Sequence, residues 1–492
     1  MRRLEDLPRE DLVENLRRAL GRIEELERAN AELVRANAGL SERLAKLERL
    51  VSRNSQNSST PPSKDDDLGR RPPAGRAKPA GNDAARKRGK QRGAPGFHLA
   101  WKPVADEYRS HRPVGTCGCG RDLADADDLG VVARHQQTEI PEITAKTVQH
   151  ERHAVRCGCG RAHTASLPEG VPDAPASFGP NLVTWCVYLM VVHAIPVQRC
   201  ADILESLTGT RPSDGFVHQL LYRAAAAVGQ ANRTIYTLLT LAHAVSLDET
   251  PLRVGAKKVK RYLLVACTEL YTWFMLGDRS LTTFRAFILP DLTGVIVHDR
   301  YCNYDNADFK HLAHQLCAQH LIRDLEDAAE CYPTATWPAQ IQRALKDLIH
   351  AANTTRAADP AATAVPGHVA APYRRAFTQG VLVGLKELSG RPGDTPADFL
   401  ALLTVLHTRP GDVLRFVADL RVPPTSNQAE RDLRPAKTQI KISGRLTSTK
   451  ATEARYAVKG YLSTAAKHRL NLFAVLRDAF LGRAWIPDPA PT

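Results

Sequence analysis

The sequence predicts an α/β core interrupted by a helical insertion, preceded by an N-terminal coiled coil, a basic linker and a small β-rich unit that carries paired cysteines. Three observations lead there. Apolar residues repeat every seven positions over 11–51. Short runs of apolar, β-branched or aromatic residues at Ala244–Leu247, Arg261–Thr268, Leu270–Leu276 and Gly294–His298 read as strands. Ala-, Leu- and Pro-rich helical sequence over about 333–422 then separates the last strand from a C-terminal stretch of further helix. The chain has 492 residues, too many for one ordinary core, and with 43% apolar and 24% charged residues most of it can fold.

The N-terminal segment, 1–52, is expected to be a coiled coil. Leu12, Ala19, Leu26, Leu33, Leu40 and Leu47 form one series, and Leu16, Ile23, Asn30, Asn37, Leu44 and Val51 form its companion. The first fits heptad position d and the second position a, where Asn fixes register and favours two strands at some cost in stability. A homodimer or higher oligomer through this helix is expected; one amphipathic helix packed on its own domain is the rival reading.

Residues 53–100 begin with a Ser- and Asn-rich run and continue rich in Pro, Gly, Ala, Arg and Lys, a composition that cannot bury a core. A basic linker is expected there. The net charge of +14 is localised: 52–100 carries +7 and 421–477 carries +9, leaving the remainder at −2. Localised positive charge suits a polyanion such as DNA, although solvated basic faces also serve solubility.

Residues 101–172 hold Cys117-Gly-Cys119-Gly and Cys157-Gly-Cys159-Gly, with 37 residues between the pairs. Close cysteine pairs in a reducing compartment point to metal before disulfides, and a structural Zn²⁺ on Cys117, Cys119, Cys157 and Cys159 is expected. One intervening residue strains chelation by a pair, which the flanking glycines can relieve. The other six cysteines read as ordinary buried residues. Residues 173–242 read as helical, and Val197–Leu207 followed by Ser213–Ala226 has a helix-turn-helix outline. No stretch approaches the ~20 apolar residues of a membrane span, and Met1–Asp6 lacks the apolar run of a signal peptide. A cytoplasmic protein without a membrane partner is expected.

Three acids stand out by their setting. Asp248 ends the first strand of the core and Asp299 ends the strand Gly294–His298. Strand ends present side chains to a crevice, so two adjacent ones can hold carboxylates within reach of one ion. Glu430 lies early on a basic helix. Such a set suits two Mg²⁺ (or Mn²⁺) ions about 3.5–4 Å apart, which activate an attacking oxygen and stabilise a leaving oxygen in phosphodiester chemistry. The spacings of 51 and 131 residues carry little specificity alone.

A family pattern supplies that specificity. The heptads are followed by Ser52–Ser59 (Ser-Arg-Asn-Ser-Gln-Asn-Ser-Ser), Arg92–His98, the cysteine-bearing unit, Asp248-Glu249-Thr250-Pro251, His298–Tyr304, Cys317–Arg323, Asn427–Arg431 and Lys441–Gly444. In this order the segments resemble the transposases of the IS sixty-six insertion-sequence family, of the DDE superfamily, over nearly the whole chain. The cysteine pairs depart from the family, where many members place two residues between paired cysteines.

The resemblance implies an RNase H-like catalytic domain over 243–482 with its helical insertion between Asp299 and Glu430, and a tail over 483–492. It implies metal-dependent cleavage and strand transfer on DNA, with the element's terminal repeats and a target DNA as partners, with or without accessory proteins. Asp248, Asp299 and Glu430 take the metal-ligand roles. His320 and Arg323, three apart on one helix face, become DNA contacts or groups that orient Asp299. Arg431, Arg434, Lys437 and Lys441 become phosphate contacts. An RNase H-like nuclease without strand transfer and a non-catalytic DNA-binding protein remain as alternatives.

Overall fold

The computed structural model describes residues 9–52, 99–257, 259–389, 397–443 and 446–488. The expected linker lies outside them apart from its last two residues. Helix α1, Arg9–Ser52, has 44 residues and so extends roughly 66 Å at about 1.5 Å per residue. Leu16, Ile23, Leu26, Leu33, Leu40 and Leu44 along its seam are each more than half exposed. A monomer leaves this apolar stripe bare.

The cysteine-bearing region is less strand-rich than expected. Its strands are β1, Ala154–Arg156, and β2, Ala162–Thr164, which form one antiparallel hairpin. All six of their residues are exposed. With no apolar face to bury, the hairpin has nothing on which to extend. The helical region is present as α2 (Pro180–Val191), α3 (Val197–Thr208), α4 (Asp214–Ala227) and α5 (Gly229–Thr240). The hydroxyl of Ser213 accepts the Phe216 N–H and starts α4, which packs on α3 in the expected helix-turn-helix outline.

The central sheet contains β3 (Ala244–Val254), β4 (Val259–Cys267), β5 (Thr272–Gly277), β6 (Val295–His298) and β7 (Ala313–Leu316), in the order β5-β4-β3-β6-β7. The pairs β3–β4 and β4–β5 are antiparallel, whereas β3–β6 and β6–β7 are parallel. Helix α6, Leu281–Ala286, lies in the crossover from β5 to β6. Strand alternation sorts the side chains between two faces. Val245, Leu247, Leu264, Ala266 and Ile296 join one core with α2–α5. Leu252, Val254, Leu263 and Val265 face the other way and pack on Ala429, Leu433 and Ala436.

From about Asp305 to Cys331 the sequence reads as one helical stretch, which β7 interrupts. Two short 3₁₀ turns, Cys302–Asp305 and Ala307–Phe309, precede it, and α7 begins at Ala318 and ends at Cys331. A four-residue strand has no readable period. It is fixed by pairing with β6 and by Gln315, whose buried amide donates to the Val413 carbonyl at 2.9 Å and accepts from Phe416 N at 3.0 Å. The insertion follows as α8 (Trp337–Ala358), α9 (Gly367–Ser389), α10 (Ala397–Thr408), α11 (Pro410–Val413) and α12 (Arg415–Ala418), packed around its own core with Trp337, Phe377, Phe399 and Phe416 at the centre. Helices α13 (Asn427–Ser443) and α14 (Thr449–Lys467) then return to the sheet, and α15 (Leu472–Phe480) packs on α2, α4 and α14. Among the described residues, no helix is long and apolar enough to cross a membrane.

A buried ion pair fastens α13 and α14 to the sheet. Lys467 Nζ lies 2.7 Å from Asp432 Oδ2, with both side chains about nine-tenths buried. Thr272 Oγ1 on β5 donates to the same carboxylate at 2.8 Å, and Lys467 also donates to the Thr268 and Tyr271 carbonyls. Removing one partner leaves the other charge buried without compensation. Lys467→Met is therefore expected to lower unfolding free energy by about 3–5 kcal/mol in urea titrations. The double variant with Asp432→Leu should lose less than the sum of the single changes, and strict additivity would argue against coupling.

Candidate active site

The site begins with strand register. Ala244 pairs with Val295, Val245 with Ile296 and Ser246 with Val297. Two residues further along, the same register sets Asp248 beside Asp299, one strand spacing of about 5 Å apart. Alternation turns both toward the face covered by α13: Ser246, Thr250 and Leu252 share the parity of Asp248, and Val295 and Val297 that of Asp299. Each aspartate is half-buried and caps its own turn. Asp248 Oδ1 accepts the Glu249 N–H at 2.8 Å, and Asp299 Oδ1 accepts the Tyr301 N–H at 2.9 Å.

Electrostatics confirm that the two acids share one environment. Burial pushes Asp248 up to about 6; Asp299 adds to the rise, and His320 and Lys437 oppose it. Glu249 points to the opposite face, where its side chain is 1% exposed. It accepts from Arg279 Nη2 at 2.7 Å and from the Tyr304 hydroxyl at 3.0 Å. Burial, followed by the charges of Asp299 and Asp248, pushes Glu249 up to about 7. The Arg279 guanidinium lies against the rings of Tyr262 and Tyr301, 4.9 and 4.5 Å from their centroids.

His320 stands in the first turn of α7. Burial alone would lower it, but Cys317, Asp299 and Asp248 raise it to about 9, an imidazolium at neutral pH. Its partner Cys317 is buried, and although burial opposes ionisation, His320 lowers the thiol to about 7. Cys317 is thus not the inert core residue that its isolation in sequence suggests; its spacing of three from His320 was the available signal. Cys302 and Cys331 also differ from expectation, being exposed. Arg323 lies one turn beyond His320 and is half-buried.

Helix α13 brings the remaining candidates. Glu430, Arg434, Lys437 and Lys441 fall at intervals of four, three and four, so they form one stripe. Lys437 acts on Asp248, which sets the stripe toward the aspartates. Glu430 is half-buried and lies 3.7 Å from Arg434 Nη2. Arg431 sits beside the stripe and donates to Gln428 Oε1. Asp248, Asp299, His320 and Lys437 thus lie within electrostatic reach of one another, and Glu430 shares the helix of Lys437.

Two further groups have metal-ligand chemistry. On the opposite face of β6, His298 Nε2 lies 2.9 Å from His314 Nδ1, which is 3.7 Å from Asp305 Oδ1. Arg409 Nη1 already holds Asp305 at 2.9 Å, and burial with His314 keeps His298 down at about 3. The cysteine pairs form two equivalent turns. Cys117 N donates to Arg121 O and Cys157 N to Arg161 O, at 2.8 and 2.9 Å. Gly120 and Gly160 close them at φ 89° and 88°, a conformation only glycine adopts easily. In each turn the backbone N–H of the second cysteine, then its thiol, lowers the first. Among the described residues, the four sulfurs do not gather around one point as a zinc cage would require.

The raised acids carry a pH signature. Their folded pKa values, about 6 and about 7, exceed the unfolded values of about 3.9 and 4.3. The native state then binds more protons than the unfolded state within that window, so stability falls as pH rises through it. His320 and Cys317 shift in opposite senses and offset each other above it. His298, held down at about 3, shifts stability the opposite way across the same window, so the acids are read by difference: without divalent cations, the parent's melting midpoint is expected to fall relative to that of Asp248→Asn between pH 4 and pH 7. An unchanged slope in the variant would show that these acids do not share a site.

Comparison with known proteins bears on the same segments. A family model described as a family of unknown function (DUF6444) matches residues 12–100. No curated protein matches the chain. The model described as Transposase IS66 family matches residues 175–454, more than half of the sequence, from α2 through the sheet and the insertion into α14. With its acids at paired strand ends and its basic return helix inside that span, the chain belongs to the Transposase IS66 family.

Proposed function

We propose that this chain is a metal-dependent DNA transposase that cuts and joins strands at the ends of a mobile element, with Asp248, Asp299 and Glu430 as the metal ligands of an RNase H-like domain. The observation that carries the proposal is the register of β3 with β6, which sets the two aspartates side by side beneath a basic helix. The donors fit a hard divalent cation: they are carboxylate oxygens whose mutual repulsion is opposed by His320 and Lys437. When bound, Mg²⁺ or Mn²⁺ would activate the attacking oxygen and stabilise the leaving one. The mixed sheet, with the helical insertion between Asp299 and the helix of Glu430, supports the RNase H-like reading.

The chain's own residues supply binding and orientation. Arg431, Arg434, Lys437 and Lys441 would hold phosphates along α13, with Arg434 released from its long, weak ion pair to Glu430. His320, kept cationic, would steady Asp299 and face the scissile phosphate, with Arg323 one turn behind. The paired cysteine turns are proposed to bind zinc only on coming together. The exposed seam of α1 would pair two or more copies of the chain.

Two outcomes test this reading. On DNA carrying the element's terminal repeats with Mg²⁺, Asp299→Asn should cut at least about a hundredfold more slowly than the parent, because several kcal/mol of charge stabilisation is lost. Equal cutting would end the triad assignment, and cutting without joining of pre-cut ends would favour a nuclease. Separately, Leu33→Lys should shift the sedimentation coefficient toward that of the monomer; an unmoved coefficient would remove α1 from the oligomer.

A further inference from the structure

Helices α13 and α14 meet the C-terminal end of α2 around a cavity of about 400 Å³, within the roughly 300–1,000 Å³ of ligand pockets. Four cations line it, Arg431 and Arg434 from α13 and Arg455 and Lys459 from α14, and no carboxylate does. Val191, Val192 and Pro435 add apolar wall.

The α14 groups lack the partners their burial calls for. Arg455 is 9% exposed, and among the described residues it donates to neutral oxygens, the Met190 carbonyl and, at 3.1 Å, Gln439 Oε1. Lys459, one turn on, makes no ion pair among the described residues. Tyr456 on the same face is 5% exposed, and its buried hydroxyl has no hydrogen-bond partner among the described residues. Burial lowers both Arg455 and Lys459; Asp432, already paired with Lys467, offsets only part of the fall at Lys459. Stranded cations and an unpaired hydroxyl are costly in a folded chain. One phosphate would satisfy all three groups, accepting hydrogen bonds from the guanidinium, the ammonium and the phenol.

We propose that this cavity is a phosphate-binding site that takes a backbone phosphodiester of the DNA strand lying along α13. It rests on the reading of the chain as a DNA-processing enzyme and extends the contact surface to Arg455, Tyr456 and Lys459. DNA is favoured over a free anion because Arg434 belongs at once to the cavity and to the stripe with Glu430 and Lys437. The apolar wall and the volume also leave room for the sugar beside its phosphate.

The test is binding of a fluorescein-labelled DNA duplex by the full chain in EDTA, followed by anisotropy at several salt concentrations, with melting midpoints measured in parallel with and without inorganic phosphate. Lys459→Gln should weaken binding about tenfold and reduce the slope of log affinity against log salt by about one. Tyr456→Phe should weaken binding about threefold with the slope unchanged, and its midpoint should not fall, because it removes an unsatisfied group. Parental affinity in both variants overturns the proposal. So does a phosphate-induced midpoint shift in the parent when both variants keep parental DNA affinity, which would mark a free-anion site. A parent without DNA affinity overturns this and the transposase reading together. Because EDTA makes binding independent of cleavage, failure of the aspartates in the cutting assay leaves this result readable.

Discussion

Cys317 holds together three segments that the candidate site needs in one place. Its N–H donates to the His298 carbonyl at 2.8 Å, fixing the residue before Asp299. Its sulfur accepts the Ser426 N–H at 3.2 Å, and the Ser426 carbonyl accepts the Glu430 N–H at 3.2 Å. Its thiol raises His320 and is lowered by it, and His320 in turn acts on both aspartates. A strand end, a helix start and the return from a long insertion therefore converge on one buried atom group. Serine at this position would keep the backbone bond but lose a polarisable, readily ionised acceptor.

The aspartates and Glu249 form a site built against its own stability. Carboxylates on adjacent strand ends repel, and burial raises their cost further. The fold counters with cations from three directions: His320 from α7, Lys437 from α13 and Arg279 from the loop after β5. Arg279 neutralises Glu249 on the reverse face, so the field over the aspartates is not set by that acid alone. Asp248 and Glu249 stay raised even so, which leaves the pair of strand ends short of positive charge.

Much of this was legible in the sequence, for physical reasons that also explain the rest. The β3 and β6 runs, Ala244–Leu247 and Val295–His298, are apolar and β-branched, so both strands and the acids ending them stood out. The second half of β3 did not, because Asp248–Pro251 reads as a strand end; the chain continues to Val254 since β4 pairs it throughout. β7 was hidden because its order comes from Gln315 and Arg415, whose Nε donates to the His314 carbonyl at 2.7 Å across a hundred residues of sequence. The α1 heptads were visible because they repeat, whereas the cavity on α14 was not: Arg455, Tyr456 and Lys459 look like ordinary helix residues until α2 and α13 close over them.

The insertion separates Asp299 from Glu430, 131 residues apart in sequence. Its core is separate from that of the helical region before the sheet and is shared with α7 and with Leu316 of β7. Apart from α8 against α7, it docks mainly through its last third and the residues just after it: Gln315 to α11 and α12, Arg415 to the His314 carbonyl, Arg409 to Asp305, Asp419 to His243, Ala318 N to the Pro424 carbonyl at 2.9 Å, and Ser426 to Cys317. Those bonds lie at its exit, next to the helix of Glu430. The path taken by the intervening chain therefore matters little to the site, whereas the last few residues before α13 matter greatly. Loop-closure cost rises only slowly with length, so the insertion's size is a weak constraint and its exit a strong one. The glutamate's position is set by Ser426 and Cys317, not by the distance the chain has travelled.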